Sequence, residues 1–268
     1  MINKLSVFIK GFIVGGTMLV PGVSGGTMAM ILGIYEDLVK SVSKFLQQKK
    51  KSLIFLAIFC IGAFGGMAIF AKNILSLLNS YHMPVMYFFI GAVAGGIPMI
   101  IKSCGLKRLS LTTAIFPVIG AIAVMSISAI PQNMFAPANI SSFYGIFILF
   151  IAGFIAAIAL ILPGISVSYV LLILGIYEEI IKAFDQLNIM YLAILAIGLL
   201  IGIISTTRIL EKAMTKYKRA TYLIILGFVI GSIFPVFPGA PSGINLFVCP
   251  ICFIAGFAII ELLYLLDK

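Results

Sequence analysis

The stretch LVPGVSGGTMAMILGIYEDLVK, Leu19 to Lys40, decides how this chain is read. Residues 11 to 35 carry no charge, as a membrane span requires, yet Pro21, Gly22, Gly25 and Gly26 interrupt the run. Proline removes a backbone donor and ends a helix, and glycine lets the backbone turn, so a plain span has no use for either. The break then recurs: residues 162 to 182 read LPGISVSYVLLILGIYEEIIK.

The rest of the chain says what surrounds these breaks. Of 268 residues, 62% are hydrophobic and 10% are charged. A soluble domain needs about a quarter of its residues charged, so lipid must solvate most of this surface. Uncharged runs close to the roughly 20 residues that cross a bilayer recur throughout. The net charge of +10 comes from lysines and arginines in short loops between apolar runs. That is the pattern of cytoplasmic loops and gives no reason to expect nucleic acid. Met1 to Lys10 is expected to be retained, because no small-residue cleavage site follows it. Cys249-Pro-Ile-Cys252 has the spacing of a redox or metal pair, but no second ligand pair accompanies it, and small core side chains are the better account. There is no Ser/His/Asp set, metal cluster or nucleotide loop, so no enzymatic chemistry and no cofactor is expected.

The two breaks belong to an internal duplication. A shift of 142 aligns Pro21-Gly22-x-Ser24 with Pro163-Gly164-x-Ser166, and Leu32–Glu36 with Leu174–Glu178. A shift of 136 aligns Leu56–Gly66 with Leu192–Gly202, Lys72 with Arg208, and Gly91-x-x-x-Gly95 with Gly227-x-x-x-Gly231. The halves are 1–135 and 140–268. The matched Gly-x-x-x-Gly pairs read as close helix packing.

Loop charge sets the topology. Segments 36–52 and 208–219, and the loop with Lys102, Lys107 and Arg108, are basic; 131–142 and 236–243 carry no charge, and 178–188 is acidic. Spans then fall near 53–71, 84–101, 111–130, 189–207, 220–235 and 244–266, with both termini in the cytoplasm. This closes only if 5–36 and 144–177 each enter and leave on one side. At 32 and 34 residues they are too short for two crossings of about 20 residues each. The expected fold is an all-α polytopic membrane protein of two inverted-topology repeats. Each repeat is a re-entrant helical hairpin (5–36 or 144–177) plus three transmembrane helices. Such repeats place a substrate site where they meet.

Each hairpin tip combines a helix-breaking proline (Pro21, Pro163), glycines that permit close approach, and hydroxyls. Gly22, Ser24, Gly25, Gly26 and Thr27, with Gly164, Ser166 and Ser168, are candidate donors to an anion, for which phosphate is the commonest occupant. The plainer account is a pair of tight corners. Gly25-Gly26 become Val167-Ser168 in the second copy, so the tips should not bind equally. Glu36 and Glu178 are candidate proton or cation carriers, or hydrated interfacial residues. Arg208 could pair an anion bidentately or snorkel to the interface. His82, in a short external loop, has no assigned role.

The strings PGVSGGT (Pro21–Thr27) and GIYE (Gly33–Glu36), with their partner copy, resemble the bacterial and archaeal polyprenyl-phosphate transporters, long grouped as a domain of unknown function. The resemblance covers essentially the whole chain. It implies translocation of undecaprenyl phosphate from the outer to the inner leaflet of the bacterial cytoplasmic membrane, for recycling of the wall-synthesis carrier lipid. The first tip matches the family pattern throughout; the second keeps Pro163, Gly164 and Ser166. Coupling to H⁺ or Na⁺ would offset the cost of moving the phosphate against an inside-negative potential. The rivals are a transporter or channel for a small soluble anion, and a scaffold for wall-synthesis enzymes.

Overall fold

A computed structural model describes residues 3–20, 23–105, 111–132 and 143–266. Pro21 and Gly22, Lys107 and Arg108, and most of the uncharged loop 131–142 lie outside these residues. The described chain is helical, with no strand. In order, the first half holds α1 (Lys4–Thr17), α2 (Gly25–Ile31), α3 (Tyr35–Ser43), α4 (Lys49–Ser80), α5 (His82–Ser103) and α6 (Leu111–Ser128). The second half holds α7 (Phe143–Ile161), α8 (Val167–Ile173), α9 (Tyr177–Asp185), α10 (Ile189–Lys216), α11 (Lys218–Gly231), α12 (Ile233–Val236) and α13 (Asn245–Leu266).

Among the described residues, six helices are long and apolar enough to cross a membrane: α4, α5, α7, α10, α11 continued through α12, and α13. Five of these carry expected spans. The sixth expected span, 111–130, is α6, whose apolar part Thr113–Ser128 is shorter than the other six. In its place stands α7, expected as one leg of a hairpin. Nothing interrupts its run before Pro163, so the helix extends for 19 residues, about 28 Å. For the same reason α4 and α10 outrun their expected ends. Lys72 and Arg208 therefore lie eight residues inside them (80 − 72 and 216 − 208) rather than at their tips.

The GIYE segments also resolve differently. They are corners, not the end of a continuous leg. The Gly33 N–H bonds the Met30 carbonyl and the Ile34 N–H that of Ala29; Gly175 and Ile176 do the same to Leu172 and Leu171. This double bond closes a helix when the residue after it adopts a left-handed conformation, and Gly33 (φ 68°) and Gly175 (φ 65°) supply it. Beyond each corner runs a nine-residue helix, α3 or α9, with acidic residues in its first turn and a lysine in its last. That placement complements the helix dipole and turns what reads as loop into helix.

Glycines fix the packing. Gly11 and Gly15 of α1 face the Phe59 and Ala63 backbone of α4, while Gly62 and Gly66 face Phe8 and Phe12. The contacts advance together along both helices, so α1 and α4 run in the same direction. The chain between them must return to the end it left. Gly153 against Leu195, with Gly198 and Gly202 against Phe150 and Phe154, makes α7 and α10 the same kind of pair. Two more pairs cross between the halves. Gly91 and Gly95 of α5 meet Phe253 and Phe257 of α13, and Gly227 and Gly231 of α11 meet Pro117 and Ala121 of α6. Each half thus lends a helix to the other. With lipid outside, these contacts rest on close backbone approach rather than on hydrophobic exclusion.

Gly91→Val places methyl groups on the Phe253 backbone. It should destabilise the α5–α13 pair by about 1–3 kcal/mol, the usual cost of overpacking. Thermal unfolding in detergent should show this loss for Gly91→Val and not for Gly65→Ala, a helical position whose added Cβ meets only the Phe12 ring at 3.8 Å.

Candidate functional site

The breaks sit where α1 gives way to α2 and α7 to α8, and they meet. Buried Thr27, in the first turn of α2, accepts a hydrogen bond from the Gly164 N–H at 2.8 Å. The Tyr35 hydroxyl donates to the Ile161 carbonyl at 2.7 Å. That carbonyl is among the last of α7 and would otherwise lack a helical partner. The space beside Gly26 is filled by the backbone of Ile161 and Pro163. Gly164, at φ 84°, leaves no room for a side chain against the Phe228 backbone. Thr27, Gly26 and Gly164 therefore join the two tips to each other.

Above this joint is a cavity of about 370 Å³. Ser24 and Gly25 line it from the first tip and Ser166, Ser168 and Tyr169 from the second, together with Gln132. The tips contribute unequally. Ser166 caps its own helix, accepting the Tyr169 N–H at 3.4 Å, whereas Ser24 makes no side-chain cap to α2. The first tip thus leaves its hydroxyl and first-turn amides uncommitted to each other. The shift of 142 aligns Thr27 with Tyr169, yet Tyr169 does not grip the other tip. Its hydroxyl stands 2.8 Å from both the Ser128 and Ile130 carbonyls at the end of α6.

Of the expected site residues, Ser24, Gly25, Ser166 and Ser168 line the cavity, Gly26, Thr27 and Gly164 hold the joint, and Pro163 is buried beside it. Pro21 and Gly22 are outside the described residues. Arg208 is exposed on α10 and is not part of the cavity wall, and neither are Glu36 and Glu178. Glu36 instead anchors a polar latch. It accepts a hydrogen bond from Tyr222 of α11 and pairs with Lys40 at 2.8 Å. Lys44 pairs with Glu211 of α10 at 2.8 Å, and Ser43 donates to the same carboxylate at 3.1 Å. Glu178 is exposed, and its neighbour Glu179 pairs within α9 with Lys182 at 2.9 Å. Partial burial pushes the Glu36 carboxyl up. Hydrogen bonds from Lys40 and Tyr222 outweigh it and hold the group below its ordinary range. Among the described residues no cluster of His, Cys, Asp and Glu could hold a metal ion.

Tyr169, Gln132 and Tyr222 were not singled out by sequence. Alignment with Thr27 is the one signal that could have found Tyr169; nothing local marks the others.

A family model described as undecaprenyl phosphate translocase-like matches residues 14–243. A polyprenyl-phosphate transporter of Staphylococcus aureus is 36% identical over 262 residues, covering 94% of this chain and 93% of its own. A polyprenyl-phosphate transporter of Vibrio cholerae is 30% identical over 250 residues, covering 88% and 78%. No solved structure matches.

Two outcomes test this geometry. Thr27→Val leaves the buried Gly164 N–H without its acceptor and should cost about 1–3 kcal/mol; Thr27→Ser, which keeps the oxygen, should recover most of it. Thermal unfolding of both variants checks this. The Glu36 carboxyl is lower in the folded protein than in the unfolded chain. Its contribution to stability is therefore present above the ordinary glutamate range, about pH 4.3, and lost as pH falls through the lower native value. An acid unfolding series should show Glu36→Gln removing that part of the pH dependence and leaving stability above neutrality nearly flat.

Proposed function

The chain belongs to the undecaprenyl phosphate translocase-like family, and from that membership we propose that it carries undecaprenyl (polyprenyl) phosphate from the outer to the inner leaflet of the bacterial cytoplasmic membrane, returning the carrier lipid for wall synthesis. The observation that carries this reading is the single cavity walled by both broken tips, bonded to each other through Thr27 and Gly164. A phosphate monoester bears about −1.5 to −2 charge near neutrality. Bringing it into hydrocarbon without compensating hydrogen bonds would cost tens of kcal/mol. Ser24, Ser166 and Ser168, with the amides of the first tip, replace its water; the prenyl tail stays in lipid.

The in-step helix contacts favour two repeats of opposite direction. With reversals at Tyr81, after Ser103 and at Tyr217, α1, α4 and α6 point one way and α7, α10 and α13 the other. Each broken hairpin, α1–α2 and α7–α8, then returns to the side it entered. The latch brings Lys40, Lys44 and Lys218 together at one end. By the positive-inside rule that end is cytoplasmic, together with the start of α1 and the end of α13.

Inward movement of two charges against about 100 mV costs roughly 4–5 kcal/mol. A coupled H⁺ or Na⁺ offsets this, with Glu36 and Glu178 as the groups to test. Held ionised by Lys40 and Tyr222, Glu36 takes a proton only when the latch opens. Arg208 meets the phosphate only in an arrangement other than this one. A small soluble anion would call for a cavity sealed from lipid; the sideways opening between α4 and α5, described below, favours the lipid.

Leaflet-specific transport of undecaprenyl phosphate in proteoliposomes tests the reading. Ser24→Ala should slow uptake at least about ten-fold, the worth of one hydrogen bond to a charged group. Ser166→Ala should cost less. Unchanged transport in Ser24→Ala would sink the assigned site, and a pH dependence untouched by Glu36→Gln with Glu178→Gln would sink the coupling.

A further inference from the structure

Between the α1–α4 pair and the α5–α13 pair lies a second cavity, larger than the one at the tips, at about 700 Å³. Its walls are apolar side chains from four helices: Ile13 of α1, Phe70 and Ile74 of α4, Val85 and Phe88 of α5, and Val248 of α13. It is a groove rather than an internal void, because Leu77 and Tyr81 on its rim are exposed. The Thr17 hydroxyl inside it is committed to the Val14 carbonyl at 2.8 Å. It asks for an apolar occupant.

We propose that this groove seats the head-proximal isoprene units of the substrate's prenyl chain, which makes it the chain-recognising half of a site whose phosphate-binding half is the tip cavity. The proposal rests on the reading that the substrate is a polyprenyl phosphate. Two continuities carry it. The groove's inner end is Gly16 and Thr17, and the next residues of the same chain, Met18 to Val20, line the tip cavity. Phe89 forms part of the groove and also of a void of about 10 Å³ shared by Ser24 and Thr27. A ligand with its phosphate at Ser24 thus finds an apolar exit one side chain away. The aromatic rings of Phe70, Phe88 and Phe89 suit a methyl-branched, unsaturated chain. At this volume, inside the usual range for a small-ligand pocket of roughly 300–1,000 Å³, the groove holds only the units nearest the phosphate. The remainder of the chain runs out past Leu77 and Tyr81 into the bilayer.

Binding to the full chain tests this with two phosphate esters: undecaprenyl phosphate, and isopentenyl phosphate, which has one isoprene unit. Wild type should prefer the long ester by more than about ten-fold, since burying a few methylene groups suffices for that. Ile74→Trp and Val85→Trp fill the groove from opposite walls. They should reduce the preference to about two-fold, weakening the long ester far more than isopentenyl phosphate, whose single unit reaches only the Gly16–Thr17 end of the groove. The chain has no tryptophan, so each new indole also reports the chain's presence by its fluorescence. On the unaltered protein, a polyprenyl phosphate with a diazirine on its first isoprene units should label residues 70–89 and be displaced by undecaprenyl phosphate but not by phosphatidylglycerol. A chain-length preference that survives in both tryptophan variants overturns the proposal, as does equal displacement by phosphatidylglycerol. If wild type binds neither ester, the substrate reading itself fails, an outcome distinct from either of these.

Discussion

A helix broken inside a membrane exposes carbonyls and amides where no water can reach them, and each unmet group costs several kcal/mol. This chain breaks twice, and the rest of the structure follows from how those groups are satisfied. The breaks are brought together so that each meets part of the other's need. Thr27 takes the Gly164 amide, and Tyr35 supplies the Ile161 carbonyl. What is left over at the joint, the Ser24 hydroxyl, the amides of the first tip and the second tip's serines, faces a cavity instead of hydrocarbon. The proposed phosphate is a guest that such a surplus of donors suits.

Holding two breaks in register needs a frame, and glycine contacts provide it. α1 rests on α4 and α7 on α10 with their backbones nearly touching, while α5 and α13, and α6 and α11, bind the halves together by exchange. The joint and the frame are nearly symmetric; the polar ties are not. α3 is latched to α10 and α11 through Glu36, Ser43 and Lys44, whereas the Glu179–Lys182 ion pair of α9 closes on its own helix. The end bearing the latch is thereby fastened. The tip cavity instead reaches Gln132 and Tyr177, which the proposed topology puts at the opposite end. Under the proposed inverted arrangement, that difference is what a transporter facing one way should show.

Much of this was legible in the sequence because composition and duplication are strong signals. The apolar character, the break at Pro21–Thr27, its copy at Pro163–Ser168 and the family resemblance needed no coordinates. Serines 24, 166 and 168 were identifiable from residue type alone. What escaped was long-range or geometric. Matched glycines announced close packing but not that α5 would choose α13, a partner more than 150 residues away. The roles of Gly26 and Gly164 were legible as freedom for the backbone, but whether a ligand or the other tip would fill that freedom depends on the fold. Nor could the sequence show that Tyr222, 186 positions on, would bond the Glu36 carboxylate. Pro163 was legible as the end of α7, but not that the 19 residues before it would form one helix long enough to cross a membrane.

At the centre of the proposed function is one anion site formed by both tips. A single-particle structure of the chain with bound undecaprenyl phosphate tests it most directly. The claim predicts the phosphate between the tips, within hydrogen-bond distance of the Ser24 hydroxyl and of at least one of Ser166 and Ser168. A phosphate bound elsewhere, beside Arg208 on the outer face of α10 for example, with the tip cavity left to water, would contradict it.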